Sequence, residues 1–350
     1  MINESSIRSY FKKHFKEVSQ INIRKLGSGV QGSGFLIEIK MKDGEHSYVI
    51  KTLNSEGLGH DYPSDRASVF LLDLDEFKNL PKHVKAIDVL AEMQDGSIKS
   101  IGGGKEYYLL MERADGIDYF NDLRRFSEKN ILDEIDIEKI KAMAGYLADI
   151  HSEKKESKTL YWRKLRDTVG HGECMMGVFD SYPDGVLKYT EMAEITKKSV
   201  DWIAKLKPFH RRLSRIHGDF HPGNIWFIKS KKPADFILLD RSRGPWGEPA
   251  DDVTALSINY IFFSIMNHNQ IKGAYYQGLK MFFDEYIRAS GDKEITSMVA
   301  LFFAFRGVVV ANPLFYPELS LSQRSLIFNF VHNVLDVEKF DYEKAQEYLK

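Results

Sequence analysis

Apolar residues at Ile7, Phe11, Phe15 and Val18 recur with a helical period, which predicts a short amphipathic helix over residues 5–18. The period then falls to two. Residues 21–26, 35–40 and 47–52 alternate as strands, separated by a glycine-rich loop and a turn at Asp43-Gly44, and so predict a three-stranded antiparallel meander. Ser64 precedes a second helical run over 65–77, carried by Val69, Leu72 and Phe77, and two further strands are expected near 86–93 and 105–112. Past Ala114-Asp115-Gly116 helical periodicity takes over, which places a lobe boundary there: 1–113 is a sheet-containing lobe and 114–350 a helical one. Ile140, Met143, Leu147 and Ile150 mark one face of a helix over 135–151, and the charged residues 153–158 an exposed loop. From Val253 onward the chain reads as four or five helices, with breaks near 267–270, 291–292, 312–313 and 336–340. The expected fold class is α+β.

Composition narrows the function classes. With 43% hydrophobic and 28% charged residues in 350, the chain is an ordinary globular protein able to bury a sizeable core. Forty-nine basic against 50 acidic residues leave a net charge of -1, so no global field selects nucleic acid or an anionic membrane. The single cysteine, Cys174, excludes an internal disulfide, fits a reducing compartment, and is expected to be a buried small side chain. Residues 1–15 mix charges with apolar side chains and lack the apolar core of a signal peptide, which points to the cytoplasm. The most apolar stretch, 298–315, is interrupted by Arg306 and Asn312; it falls short of a membrane span and predicts a buried helix.

Two segments carry candidate chemistry. In Gly27-Ser28-Gly29-Val30-Gln31-Gly32-Ser33-Gly34 the spacing G-x-G-x-x-G leads into a strand, not into the helix that a dinucleotide-binding fold would place there. A strand-loop-strand flap of this kind lets backbone N–H groups approach phosphate oxygens, although a plain tight hairpin has the same sequence. Lys51 shares a strand face with Val49 and, if that face is buried, needs an anion: phosphates, steadied by an acid of the following helix, Asp65 first and Glu76 second. A solvated edge-strand lysine is the other reading.

The stronger segment is His217-Gly218-Asp219-Phe220-His221-Pro222-Gly223-Asn224, followed by apolar residues 225–228, a polar turn over 229–234, and apolar residues 235–239 before Asp240. An antiparallel hairpin returns its second strand to the start of its first, so Asn224 and Asp240 are brought side by side with Asp219 nearby. Oxygen donors so placed suit magnesium, which takes only one or two protein ligands when phosphates supply others. Asp219 is then left to receive the proton of an attacking hydroxyl.

The order of glycine loop, strand lysine, H-x-D-x-x-x-x-N and metal-binding Asp resembles the aminoglycoside phosphotransferase and choline kinase superfamily, relatives of protein kinases, from about Ile21 to Asn259. The resemblance implies a protein-kinase-like two-lobe fold and a phosphotransferase using ATP and Mg2+ to phosphorylate a hydroxyl of a small molecule. Its catalytic residue would be Asp219, its nucleotide-binding residues Gly27, Ser28, Gly29, Gly32, Lys51 and Glu112, its metal ligands Asn224 and Asp240, and its supporting residues His217, Asp252 and Asp65. Asp252, in Glu248-Pro249-Ala250-Asp251-Asp252, would brace the catalytic loop through backbone N–H groups, and His151 ends a helix of structural role. Arg241-Ser242-Arg243 departs from the family pattern: these arginines neutralise phosphate, bind an anionic substrate, or pair with Glu248 or Asp251. His221 either touches substrate or makes a structural hydrogen bond. Gly218 before Asp219 and only eleven residues between Asp240 and Asp252 leave no room for the peptide platform of a protein kinase, so a small hydroxylated substrate is expected. Tyr260, Phe262, Phe263, Phe302 and Phe305 line a pocket or, at helical spacing, fill the core. Residues 162–166 and 170–174 match no family element, and zinc binding by His171, Glu173 and Cys174 lacks a second ligand pair. The competing class is a pseudokinase, a nucleotide-binding scaffold without turnover.

Overall fold

The computed structural model describes residues 3–28, 31–55, 57–79, 81–229, 231–241 and 243–350. These divide into two compact units, Met1–Met111 and Glu112–Lys350.

In the first unit α1 (Glu4–His14) starts where the Asn3 side chain accepts from the Ser6 N–H. It lies against an antiparallel sheet of β1 (Gln20–Ser28), β2 (Gly32–Met41) and β3 (Gly44–Leu53), in that order. The period of two sorts the strands: Ile21, Ile37 and Ile39 join Ile7, Tyr10 and Phe11 in a core that Tyr48 and Ile50 flank. Val49 and Lys51 consequently face the other way. α2 (Pro63–Glu76) begins with proline in its first turn and with Asp65 accepting from the Tyr62 N–H at 2.7 Å.

One element differs from the sequence expectation. β4 (Leu90–Glu92) pairs with β5 (Ile98–Ser100) across a turn in which Gly96 takes φ +77°, a left-handed geometry that glycine adopts without strain. The strand expected near 105–112 is not formed: these residues pair with none of the free edges that β3, β4 and β5 offer. Residues 107–111 run exposed and without regular structure, Leu110 at 97%.

The second unit opens with β6 (Ile117–Asp118) and α3 (Phe120–Arg125), followed by α4 (Glu134–Ser152), α5 (Lys158–Gly170), α6 (Met175–Asp180) and α7 (Tyr189–Leu206). Three short strands, β7 (Ser214–Arg215), β8 (Ile225–Phe227) and β9 (Phe236–Leu238), precede β10 (Trp246–Gly247), which pairs with β7. The helices α8 (Ala250–His268), α9 (Gly273–Ser290), α10 (Ile295–Met298), α11 (Ala300–Val310) and α12 (Leu321–Leu335) complete it. The predicted breaks are real: Asn269 and Gly291, both left-handed, stop α8 and α9. α8 and α11 are buried over most of their length, and Tyr260, Phe262, Phe263, Phe302 and Phe305 all lie in the core. Sheet in the first unit and helices in the second give the expected α+β division. Among the described residues no helix is long and apolar enough to cross a membrane.

Candidate active site

The predicted hairpin forms with the register Ile225↔Leu238, Trp226↔Ile237 and Phe227↔Phe236, and β6 extends it on the other edge of β8. One step beyond the ladder the Leu239 N–H donates to the Asn224 carbonyl at 3.0 Å, so Asn224 and Asp240 do flank the base of one hairpin. The Asn224 amide nitrogen donates to the Asp219 carbonyl at 3.0 Å, which ties the loop across itself and leaves the amide oxygen as the acceptor. Asp240 sits at φ +49° with an exposed side chain and lines a cavity of about 330 Å³ with Tyr146, Arg215, His217 and Arg241.

Asp252 holds the loop from beneath. Fully buried, its carboxylate accepts from the His217 N–H and the Gly218 N–H, each at 2.7 Å, and its Oδ2 lies 3.2 Å from His151 Nε2. His151 is fixed in turn by the Tyr286 hydroxyl at 2.9 Å. Gly218, at φ +88°, makes the turn that lets both N–H groups converge. The buried His217 ring accepts from the Asp219 N–H at 3.3 Å, and His221 Nδ1 accepts from the Gly223 N–H at 3.1 Å, the structural hydrogen bond of the two readings.

Asp219 lies at the centre of a charge network. Its Oδ1 accepts from Arg306 at 2.6 Å and from Arg243 at 2.9 Å, while Oδ2 stands 3.9 Å from His221 Nε2. Burial pushes the carboxyl pKa up, but Arg306 and Arg243 outweigh it and hold the group at about 2. Arg306 also donates to the Gly218 carbonyl at 3.2 Å and to Asp251 at 2.8 Å, and Asp251 takes Lys164 at 2.6 Å. Arg306 is the residue sequence reasoning missed. It stood in the sequence only as an interruption of an apolar stretch, and a cation inside an otherwise buried helix was the signal that it must have an anionic partner.

Of the three readings open for the arginines after Asp240, pairing with Glu248 or Asp251 does not occur. Arg243 goes to Asp219, and Arg241 donates to the Ile216 carbonyl at 2.9 Å; Ser242 lies outside the described residues. Glu248 is already taken by Arg212 at 2.8 Å and the Tyr161 hydroxyl at 2.9 Å, and Asp251 by Lys164 and Arg306. Cys174 is buried, and burial raises its thiol pKa. The segments that matched no family element supply Lys164, which pairs with Asp251, and the buried Cys174.

In the first unit the lysine argument also changes. Lys51 lies on the exposed face of β3, its side chain 58% exposed and 3.5 Å from Asp73, one helical turn before Glu76. Asp65 is committed to the start of α2, and Glu76 accepts from the Asn79 amide at 3.1 Å. The acid beside Lys51 is therefore Asp73, because α2 runs past the strand and meets it near its C-terminal end. Gly32, Gly34, Val49 and Lys51 line an open pocket of about 580 Å³. At Gly32 a Cβ would fall 1.9 Å from the Thr52 carbonyl oxygen, so only glycine fits. Gly27, Gly32 and Gly34 have ordinary φ, so close approach, not unusual dihedrals, explains the one strict requirement; Gly29 lies outside the described residues. Ser28 pairs with Ser33 at the end of the β1–β2 ladder, and Glu112 is exposed at the start of the second unit.

Among the described residues no group of three or more His, Cys, Asp or Glu could hold a metal ion. An Asn and an Asp at the hairpin base fit a hard cation that takes most of its ligands from phosphate and water. Residues 72–233 match the profile of the phosphotransferase enzyme family (APH), a span that contains Asp219 and Asn224 and excludes Lys51, Asp240 and Asp252. No curated protein matches the sequence. Solved structures that align with it include the Plasmodium vivax ethanolamine kinase, at 12% identity over 97% of this chain and 84% of that one, TM-score 0.35. An amicoumacin kinase in complex with AMP-PNP and Ca2+ aligns at 13% identity over 96% of each chain, TM-score 0.41. A glucosamine kinase aligns at 11% identity over 88% of this chain and 92% of that one, TM-score 0.43. Residues 72–233, and the His-Gly-Asp loop they contain, are thus similar to the phosphotransferase enzyme family.

Proposed function

We propose that the protein transfers the γ-phosphate of ATP to a hydroxyl of a small molecule, with Asp219 orienting that hydroxyl and receiving its proton. The observation that carries this reading is the Asp219 carboxylate, kept ionised on a loop that Asp252 braces and that Asn224 closes. With Oδ1 taken by two guanidiniums, Oδ2 is the oxygen left for the acceptor. A carboxylate with a pKa of about 2 is a weak base, so its contribution is alignment, and the proton moves as the oxygen–phosphorus bond forms and ADP leaves.

Gly27, Ser28, Gly32 and Lys51 are assigned to the nucleotide phosphates, and Glu112 to the nucleotide. Lys51 is steadied by Asp73. Asn224 and Asp240 would hold Mg2+, which when bound supplies charge neutralisation on phosphate oxygens. His217 and Asp252 keep the loop in shape.

The test is ADP release by purified protein with Mg2+ and ATP against hydroxy acids, sugars, amino alcohols and aminoglycosides. Asp219→Asn should keep nucleotide affinity and lose on the order of 10²- to 10⁴-fold in turnover, the range for removal of a positioned base. Nucleotide binding with no transfer to any acceptor would instead make the chain a scaffold of pseudokinase type.

A further inference from the structure

The direct ion pairs around Asp219 are unbalanced, with the neighbouring Asp252 carboxylate spent on backbone N–H groups. Three cations, Lys164, Arg306 and Arg243, meet two carboxylates, Asp251 and Asp219, through contacts of 2.6–2.9 Å. Lys164 and Arg306 are buried and the Arg243 side chain is only 19% exposed, so water solvates the surplus charge poorly. Two donors show the same deficit: the Nε atoms of Arg243 and Arg306 are both buried with no hydrogen-bond partner. Among the described residues, Arg243 has one ion-pair partner, Asp219. Both guanidiniums pack on the Phe305 ring, at 5.5 and 4.7 Å from its centre, which fixes their planes without supplying an acceptor. Tyr316 adds a neutral hydroxyl within the fields of Asp219 and Arg306, and Glu318, whose charge reaches Tyr316, is exposed.

We infer that the acceptor is a hydroxyl compound carrying a carboxylate or phosphate group, held by Arg243 while its hydroxyl meets Asp219. This rests on the phosphotransfer reading above and deepens it. A polycationic acceptor would add charge to a cluster already in positive excess, and a neutral one would leave the excess in place. A carboxylate or phosphate matches the planar fork of the guanidinium, which has most of its N–H groups still to satisfy. Magnesium-bound ATP keeps a net negative charge of its own, so the acceptor preference is read first in the protein without nucleotide.

The experiment measures binding first, without nucleotide. Calorimetry on the full chain compares glycerate and glycerol 3-phosphate with glycerol and ethanolamine, for the wild type, Arg243→Gln and Arg243→Lys. The wild type should bind the anionic probes at least about tenfold more tightly than the others, and Arg243→Gln should cut that preference to within about threefold, as expected for loss of a charged hydrogen-bonded pair. Arg243→Lys keeps the charge and loses the fork, and should fall between the two. The Lys variant alone decides the question where the Gln variant does not fold. Equal or tighter binding of neutral or cationic probes by the wild type, or a preference that survives both substitutions, overturns the inference. Turnover with Mg2+ and ATP on the same probes separates the two readings. Anion preference without ADP release sinks the phosphotransferase and leaves the anion site, whereas efficient turnover of ethanolamine over glycerate sinks the anion site and leaves the phosphotransferase.

Discussion

Asp219 shows how two residues distant in sequence set the state of one. A carboxylate as buried as this one would be pushed up in pKa, yet Arg306 and Arg243 bring it to about 2. Since the folded value lies below the ordinary 3.8, the pair contributes stability that is present above about pH 4 and is lost as pH falls through about 2. Replacing Arg306 by Met removes the larger of the two opposing charges and leaves burial in force. The Asp219 pKa should then rise towards or above 3.8, and the acid limb of the pH–rate profile should move up with it; an unmoved limb would mean that Arg306 does not govern this group. The same change leaves Asp251 with only Lys164, so unfolding in urea should also show a loss of about 3–5 kcal/mol, typical of breaking a buried pair. The sequence carried only half of this: a lone arginine in an apolar run signals a buried anionic partner but does not name Asp219, 87 residues away.

Elements whose signal is local were legible. Glycine and Asn stops ended α8 and α9 where the apolar period broke, and the alternation on either side of residues 229–234 placed Asn224 and Asp240 at one hairpin base, because strand pairing is determined by the turn between the strands. Where an element depends on a partner elsewhere in the chain, the reading failed. The apolar residues 107–111 have the composition of a strand yet join none of the open edges of the first unit, and the acid beside Lys51 depends on how α2 crosses β3, which no spacing rule within α2 determines. The loop over residues 217–224 is an element held by one side chain, which makes a sharp prediction. Asp252→Ala strands two buried backbone N–H groups at about 1–3 kcal/mol each, so a loss of about 3–5 kcal/mol is expected in urea unfolding. Asp252→Asn keeps the volume and can still accept one bond, and should lose less. Equal stability of the Ala variant and wild type would show that the loop is held by something else. At the hairpin base, Asp240→Asn exchanges a charged oxygen donor for a neutral one. Its turnover should recover with added Mg2+, while that of Asp219→Asn should not.

At the scale of the whole molecule the chain is two units with separate cores, one built around Ile37, Ile39 and Phe11 and the other around α8 and α11. The connection between them is exposed and has no ladder or helix hydrogen bonds to protect it: Tyr108 is 89% and Leu109 85% exposed. Proteases need about this, an extended segment free of secondary structure. The apolar and aromatic side chains of residues 107–111 are also what chymotrypsin prefers. Brief digestion of the native protein should therefore cut first within residues 107–111, giving two fragments that divide the chain at its unit boundary. The longer fragment should keep most of its helical circular dichroism, because Asp219, Arg306, Asp252 and the helices that hold them all lie within it. Mass spectrometry of the earliest products checks the site, and the spectrum of the purified long fragment checks the independence of its core. A first cut elsewhere would show that the connection is protected in solution, and loss of helix in the long fragment would show that the second unit needs the first to fold.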